Sequence, residues 1–232
     1  MNEHAEHSIQ TRKREGIGTA NGKIILIGEH AVVYAQPAIA LPFKEVQVTT
    51  TVTAAGEMTV DCVYHHGPLS TAPTQLANLQ AVVPATLAEL GLPDQRFHIH
   101  IDSTIPAERG MGSSAAVANS VVRAIYAYAD RPLDDETLFR LTQISETIAH
   151  GNPSGLDAKI TVSEQPLYFV RGQVLEPFEI SLRGYLVVAD TGEKGQTMQA
   201  VNALGQRREE APERVNGLLE ELGKLSRRVR EV

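Results

Sequence analysis

Ile105-Pro-Ala-Glu-Arg-Gly-Met-Gly-Ser-Ser-Ala-Ala-Val117 is the stretch of this sequence that decides the fold. A glycine-rich turn there runs directly into residues that favour helix, and such a junction presents free backbone N–H groups to a phosphate. Gly110 and Gly112 let the main chain approach an anion and adopt a positive φ. Ser113 and Ser114 add hydroxyls that can ligate Mg²⁺ or cap the helix. The pattern predicts a phosphate-binding loop, with an ordinary glycine turn before a capped helix as the alternative.

The same glycines fit the dinucleotide-binding pattern G-x-G-x-x-[GA], but the surrounding sequence argues against it. That fold needs a strand directly before the loop and another strand after the helix. Here seven residues lie between Asp102, which directly follows the predicted strand, and Gly110, and a second amphipathic helix follows the first. A Walker A motif is absent from the sequence. We therefore predict a nucleoside triphosphate bound by a different architecture.

A second segment, Asn21-Gly-Lys-Ile-Ile-Leu-Ile-Gly-Glu-His30, reads as a buried strand that ends in polar residues. Four consecutive apolar residues, 24–27, are typical of a strand covered on both faces. Glu29 and His30 follow it, where loops commonly expose functional groups. Lys23 stands at the entrance of the strand. Its side chain is a candidate functional group, with a solvated strand end as the alternative.

The third segment, Ser145-Glu-Thr-Ile-Ala-His-Gly-Asn-Pro-Ser-Gly-Leu-Asp157, contains the end of one helix and the start of another. Asn152 and Pro153 fit the cap and first turn of the second helix. Glu146 would then lie near the end of the first helix and Asp157 near the start of the second. The two carboxylates can converge on one cation, whereas spacing alone favours two unrelated surface acids. The buried stripe of the first helix is predicted to be Leu138, Leu141, Ile144 and Ile148.

Together the three segments resemble the GHMP kinase superfamily, and within it the mevalonate kinases. Residues 22–34 and 36–40 are similar to the first family motif, and residues 106–116 to the second, P-x-x-x-G-L-G-S-S-A-A. Residues 151–157 are similar to the catalytic segment that follows. Galactokinases share the Gly-Glu-His end of the first motif, but the continuation Ala31-Val-Val-Tyr34 favours mevalonate kinases. Met111 stands where the family usually has Leu, and Asn21 replaces a frequent proline.

The resemblance implies an α+β GHMP kinase fold, with a ribosomal protein S5 domain 2-like domain followed by an incomplete ferredoxin-like domain. We expect a flexible tail over 1–15, the ATP-binding domain over 16–177 and a partial C-terminal domain over 178–232. The family's third, glycine-rich motif is absent from the 232 residues. An apolar stripe at helical spacing also continues to the end, so we expect a truncated version of a chain of about 300 residues. The apolar stripe consists of Val215, Leu218, Leu219, Leu222, Leu225, Val229 and Val232.

The resemblance also implies roles for individual residues. Asp157 and Lys23 would be catalytic, and Ser114 (or Ser113) and Glu146 would hold Mg²⁺. Mevalonate would contact Lys23, Glu29, His30, Ser154 and Asp157. ATP would contact Pro106, Glu108, Arg109, Gly110, Met111, Gly112, Ser113, Ser114, Ala115 and Ala116. The implied reaction is phosphorylation of the 5-hydroxyl of mevalonate by ATP, in the mevalonate route to isopentenyl diphosphate. The alternatives are another GHMP small-molecule kinase, acting on phosphomevalonate or a sugar, and a form that binds ligand without turnover.

Hydrophobic patterning predicts the remaining elements. Helices are expected over 74–90, 197–204 and within 213–232, with a turn at 176–177. Strands are expected over 23–27, 38–42, 46–52, 58–63, 97–101, 166–170, 173–175 and 184–190, the last opening a second α/β unit.

The amino-acid composition argues against two classes of binding partner and indicates a cellular compartment. The net charge of −7 disfavours nucleic acid and anionic membranes, whose binding needs clustered Lys and Arg. A single cysteine, Cys62, fits a reducing compartment, and neither a secretory signal nor an 18-residue apolar run is evident, so we expect a cytoplasmic protein. The eight histidines lack a third ligand at zinc spacing. Mevalonate and ATP are the expected small-molecule partners, and a homodimer stays open.

Overall fold

The computed structural model describes residues 14–173, 175–180, 184–192, 195 and 197–231, without the side chains of 197 and 198. Its longest elements of sheet are two antiparallel strands. β1 (Glu15–Ile27) pairs with β2 (Ala38–Ala54), and both exceed their predicted lengths. The strands predicted over 38–42 and 46–52 are one strand. The register of β2 against β1 shifts between Asn21 and Gly22, so the residues between the two predicted strands form a bulge within the ladder.

The remaining strands are β3 (Thr59–Cys62), β4 (His65–Pro68), β5 (Phe97–Ser103), β6 (Leu167–Phe169) and β7 (Glu176–Pro177). The sheet has the strand order β4-β3-β5-β2-β6-β7, and β1 also pairs with β2. β2 pairs with β6 through its first residues and with β5 through its last. The predicted turn at 176–177 is wrong, because these residues pair with β6 as β7. Residues 173 and 175 lie outside strands, against the strand predicted there, and residue 174 is outside the described residues.

Three helices, α1 (Ala77–Glu89), α2 (Ser113–Ala129) and α3 (Asp135–His150), pack with the sheet around the main core. A 3-10 turn at Thr74–Leu76 precedes α1, and the short helix α4 (Leu156–Ile160) follows α3. The predicted stripe of α3 is buried at Leu138 and Leu141, whereas Ile148 is 47% exposed. β1 lies very close to α2 because Gly16 and Gly18 carry no side chain. A Cβ on Gly18 would lie 2.1 Å from the Ser120 carbonyl oxygen.

The segment after β7 differs most from the secondary structure predicted from the sequence. The strand predicted over 184–190 is wrong, because these residues form no strand and are exposed, Tyr185 by 98% and Val187 by 86%. An apolar run becomes a strand only where a neighbouring strand accepts its backbone hydrogen bonds, and no described strand lies beside it. Two helices follow, α5 (Thr197–Glu210) and α6 (Pro212–Arg230), so the predicted helices are present and α5 is longer.

One side of α6 packs on the 3-10 turn Ala31–Tyr34 that follows β1. Val215 and Leu219 are buried there against Ala31. Gly223 lies against the next residues, since a Cβ on it would be 2.0 Å from Oε1 of Gln36. The predicted apolar stripe is therefore only partly covered. Leu218, Leu225 and Val229 remain 42–56% exposed, and Val232 lies outside the described residues.

Among the described residues, none of the helices combines the length and apolar character that a membrane span requires.

Candidate active site

The glycine-rich loop ends at the first turn of α2, as the sequence predicts. Gly110 and Gly112 have φ values of +68° and +74°, and Gly112 is the N-cap of α2. Ser113 and Ser114 are the first two residues of the helix, where backbone N–H groups have no partner within the helix. The loop is held to β1, because the Lys23 N–H donates to the Met111 carbonyl oxygen over 3.0 Å. A helix end of this kind is suited to binding an anion.

Lys23 and Asp157 form an ion pair beside that loop. The Lys23 Nζ lies 3.3 Å from the Asp157 Oδ1, and the exposed fractions of the two side chains are 4% and 31%. The alternative of a solvated strand end is therefore wrong for Lys23. Its aliphatic stem contacts the loop, since a Cβ on Gly112 would lie 2.9 Å from the Lys23 Cγ. A buried ammonium thus lies between the glycine-rich loop and a carboxylate that solvent can reach.

Glu146, near the end of α3, is buried next to the same residues. Burial first, and the nearby Asp157 second, raise its pKa from 4.5 to about 7, while the Ser114 hydroxyl and Lys23 lower it. One of its oxygens, Oε2, lies 3.7 Å from the His150 Nε2, and burial lowers the pKa of that imidazole. The other, Oε1, is buried and has no hydrogen-bond partner within the described chain. Glu146 and Asp157 therefore share one site, against the alternative of unrelated surface acids.

These residues fit a divalent cation of the hard type. Mg²⁺ takes oxygen ligands, commonly one or two carboxylates with the rest from water and substrate phosphates. The unpartnered Oε1 of Glu146 and the hydroxyl of Ser114 supply such oxygens next to the anion site. In the described part of the chain no three His, Cys, Asp or Glu side chains group closely enough to hold an ion by themselves. A cation here would need the phosphates of a bound nucleotide.

The helix that carries Asp157 begins later than predicted. α4 spans Leu156–Ile160, and its N-cap is Gly155 with φ +90°, so Asn152 and Pro153 belong to the preceding loop. The sharp turn into α4 requires a left-handed backbone conformation at residue 155, which glycine adopts readily, and that turn sets where the helix begins. The Ser154 Oγ accepts a hydrogen bond of 3.2 Å from the Leu156 N–H. Asp157 nevertheless lies in the first turn, as predicted.

The other predicted residues lie around this centre with varied surroundings. Glu29 is exposed, and His30 is half-buried with a φ of +64° directly before the 3-10 turn Ala31–Tyr34. Arg109 donates from Nε to Asp190 Oδ2 over 3.1 Å. The Gly195 N–H donates to the Glu108 carbonyl oxygen over 2.6 Å. Residues beyond β7 thus contact the glycine-rich loop. The half-buried Pro106 and Met111 and the buried Ala115 and Ala116 flank or begin α2.

Two residues of the site, Asn78 and Arg171, are not predicted from the sequence. Asn78 in α1 donates from Nδ2 to the hydroxyl oxygens of Ser145 and Ser114, at 3.0 and 3.4 Å. The Arg171 guanidinium donates to the Val33 carbonyl oxygen over 3.2 Å and to the Asn152 side chain, which joins the loop after β1 to the loop before α4. Neither residue belongs to a motif, and only the folded chain brings them to the site.

Comparison with known proteins decides the family. The family model for the GHMP kinases N terminal domain matches residues 78–164. The mevalonate kinase of Pyrococcus abyssi is 30% identical over 238 residues, covering 93% of this chain and 69% of that relative. The chain belongs to the mevalonate kinase family of GHMP kinases. The solved mevalonate kinase of methicillin-resistant Staphylococcus aureus is 33% identical, with a TM-score of 0.60 over 90% of this chain and 74% of that one.

The fold of this mevalonate kinase family member is also that of a more distant structure. The L. major mevalonate kinase, solved in complex with R-mevalonate, is 23% identical and has a TM-score of 0.75 over 94% of this chain and 70% of that one. The predicted α+β GHMP kinase fold is confirmed. The predicted domain boundaries and the roles of individual residues stay predictions.

Proposed function

We propose that this chain transfers the γ-phosphoryl group of ATP to the 5-hydroxyl of mevalonate, giving 5-phosphomevalonate and ADP. The observation that carries the proposal is the ion pair between the buried Lys23 and the partly exposed Asp157, 3.3 Å apart, next to the N-terminal end of α2. Phosphoryl transfer depends on positioning and charge neutralisation more than on covalent chemistry by the protein. The family of the chain supports the same reaction.

The nucleotide would bind along the loop before α2. Free N–H groups at the start of the helix would donate to phosphate oxygens, and the positive end of the helix dipole would favour them. Gly110 and Gly112 keep side chains away from the approaching anion. The proposed ATP-binding residues are Pro106, Glu108, Arg109, Gly110, Met111, Gly112, Ser113, Ser114, Ala115 and Ala116.

Asp157 would receive the proton of the attacking hydroxyl. As the new oxygen–phosphorus bond forms and ADP leaves, the hydroxyl proton passes to the Asp157 carboxylate. The adjacent Lys23 ammonium favours the ionised carboxylate before the reaction. The same ammonium offsets the negative charge that builds up on the transferred group. Because Lys23 is buried and fixed by the loop, this charge is already oriented when substrate arrives.

Ser114, with Ser113 as the alternative, and Glu146 would hold Mg²⁺. The ion would neutralise charge on the bound phosphates. Glu146 must lose its proton to become a ligand, and its raised pKa means that cation binding would release protons near neutral pH. Mevalonate would contact Lys23, Glu29, His30, Ser154 and Asp157. Arg171 joins the segment after β1, which carries Glu29 and His30, to the loop before α4, which carries Ser154.

The proposal is tested by ADP release from Mg²⁺-ATP with a panel of acceptors: mevalonate, phosphomevalonate, galactose and homoserine. We expect turnover with mevalonate, and Asp157→Asn should lower kcat by roughly 100-fold or more with ATP affinity within a few-fold. Asp94→Asn, in an exposed loop, is the matched control and should leave both unchanged. Preference for another acceptor would support the other GHMP kinase hypothesis. ATP binding without turnover on any acceptor would support a ligand-binding form.

A further inference from the structure

A fully buried polar network lies directly beneath the Lys23–Asp157 pair. Its three side chains come from different elements: Asn119 from α2, Thr142 from α3, and Thr161 from the residue that ends α4. Each is 0% exposed. Buried polar groups cost free energy unless their hydrogen bonds are made, so a network of this kind constrains the elements that it joins.

Every hydrogen-bonding group of Asn119 has a partner. Its Nδ2 donates to the Ala158 carbonyl oxygen over 3.0 Å and to the Thr161 Oγ1 over 2.9 Å. Its Oδ1 accepts from the Thr142 hydroxyl over 2.7 Å. The Thr161 hydroxyl in turn donates to the Asp157 carbonyl oxygen over 2.9 Å. The donor from Thr142 fixes which way the amide faces, and the amide then holds two groups of α4.

α4 depends on this support because it is short. A five-residue helix has too few internal hydrogen bonds to be stable alone, and its last carbonyl groups have no partner within the helix. Asn119 supplies the partner for the carbonyl of Ala158, the residue after Asp157. The position of the Asp157 carboxylate is therefore set from α2, the helix whose first turn forms the anion site.

Thr161 extends the same network to the other parts of the site. Its carbonyl oxygen accepts from the Asn21 N–H in β1 over 2.7 Å, two residues before Lys23. Its methyl group faces Gly112, since a Cβ there would lie 3.0 Å from the Thr161 Cγ2. The glycine-rich loop, the strand β1 that carries Lys23 and the helix α4 that carries Asp157 therefore all contact Thr161.

We propose that Asn119 is a positioning residue for phosphoryl transfer, holding Asp157 at its distance from Lys23 and from the phosphate loop. This inference rests on the proposed function. Asn119 touches neither the nucleotide nor the acceptor; it acts through Thr161 and the backbone of α4. Its loss should lower turnover far more than it weakens ATP binding, because the loop before α2 keeps its own anchor to β1.

The first test compares two substitutions that each delete one buried hydroxyl and keep its shape. Thr142→Val removes the donor to Asn119, whereas the control Thr86→Val removes a hydroxyl that only donates to the Val82 carbonyl within α1. Both threonines are 0% exposed. We expect Thr142→Val to lower kcat about 10-fold and Asn119→Leu up to about 100-fold, with the KM for ATP within about 3-fold. Thr142→Ser, which keeps the hydroxyl, should restore kcat, and Thr86→Val should leave it within about 2-fold.

A second readout separates this inference from the proposed reaction. Hydrogen exchange should show that Thr142→Val lowers protection selectively at residues 156–162, whereas Thr86→Val does not. If the unaltered chain has no activity on mevalonate, the proposed function fails and the exchange pattern alone decides on Asn119. Equal losses of kcat in Thr142→Val and Thr86→Val, or equal exchange at residues 156–162 in the two variants, would overturn the positioning role.

Discussion

Substitution of Gly112 by alanine is the sharpest test of how the site is built. Gly112 has a φ of +74°, and an added Cβ would lie 2.9 Å from the Lys23 Cγ and 3.0 Å from the Thr161 Cγ2. Carbon atoms prefer about 3.5–4.0 Å, so one neighbour must move by at least half an ångström or so. Lys23 is buried and its N–H is bonded to the loop, which leaves little room. We expect the Lys23 side chain to be displaced, and with it the ammonium that pairs with Asp157.

Two costs add up in this variant. The left-handed backbone costs an alanine about 1–2 kcal/mol, and forcing a methyl group into a packed site costs about 1–3 kcal/mol more. Gly91→Ala is the control for the first cost alone, because Gly91 has a φ of +70° and nothing within 4 Å of an added Cβ. Urea unfolding should therefore show Gly112→Ala to be less stable than Gly91→Ala by about 1–3 kcal/mol.

Turnover gives the second measurement. A shift of the Lys23 ammonium should lower kcat by roughly 10- to 100-fold. Gly110→Ala provides the comparison within the loop, since Gly110 has a φ of +68° but open space around an added Cβ. That variant should raise the KM for ATP and leave kcat nearly unchanged. If Gly112→Ala matches Gly91→Ala in stability and the unaltered chain in kcat, then the contact between Gly112 and Lys23 does not hold the ion pair in place.

Three further predictions address the charge, the pH response and the packing. Lys23→Met should lower kcat by roughly 100-fold or more, because it removes the buried ammonium beside Asp157; an effect on thermal stability alone would return Lys23 to a structural role. In metal-free buffer the free energy of unfolding should fall by up to roughly 3 kcal/mol as the pH rises from 4.5 to about 7, since folded Glu146 keeps a proton that the unfolded chain has lost. Glu146→Gln should remove that slope in urea titrations, and an identical slope would contradict the raised pKa. Gly18→Ala should cost about 3 kcal/mol or more because its Cβ would lie 2.1 Å from the Ser120 carbonyl oxygen, and Gly56→Ala, in open space, should cost under 1 kcal/mol; similar midpoints would refute the close packing of β1 on α2.

Local patterns were enough to predict much of this protein. The glycine turn before Ser113, the strand before Glu29 and the helix that ends after Glu146 each follow from short-range preferences, and all three elements are present. The burial predicted for residues 24–27 is wrong, because Leu26 is 39% exposed and its neighbours are only half-buried. Such preferences act within a few residues, so the motifs could be placed on the correct elements without the fold. Their order along the chain was also sufficient to indicate the family.

Tertiary structure decided what those patterns could not. The run 184–190 has the composition of a strand but no described strand beside it, and the start of α4 depends on the left-handed turn at Gly155. The burial of Lys23, the raised pKa of Glu146 and the contacts of Asn119 join residues that lie far apart in the sequence. Desolvation and hydrogen bonding between elements depend on distances in space, which the spacing of residues along a chain does not specify. The sequence therefore determined which chemical groups this site contains, and only the packing of α2, α3, α4 and β1 determined that they meet.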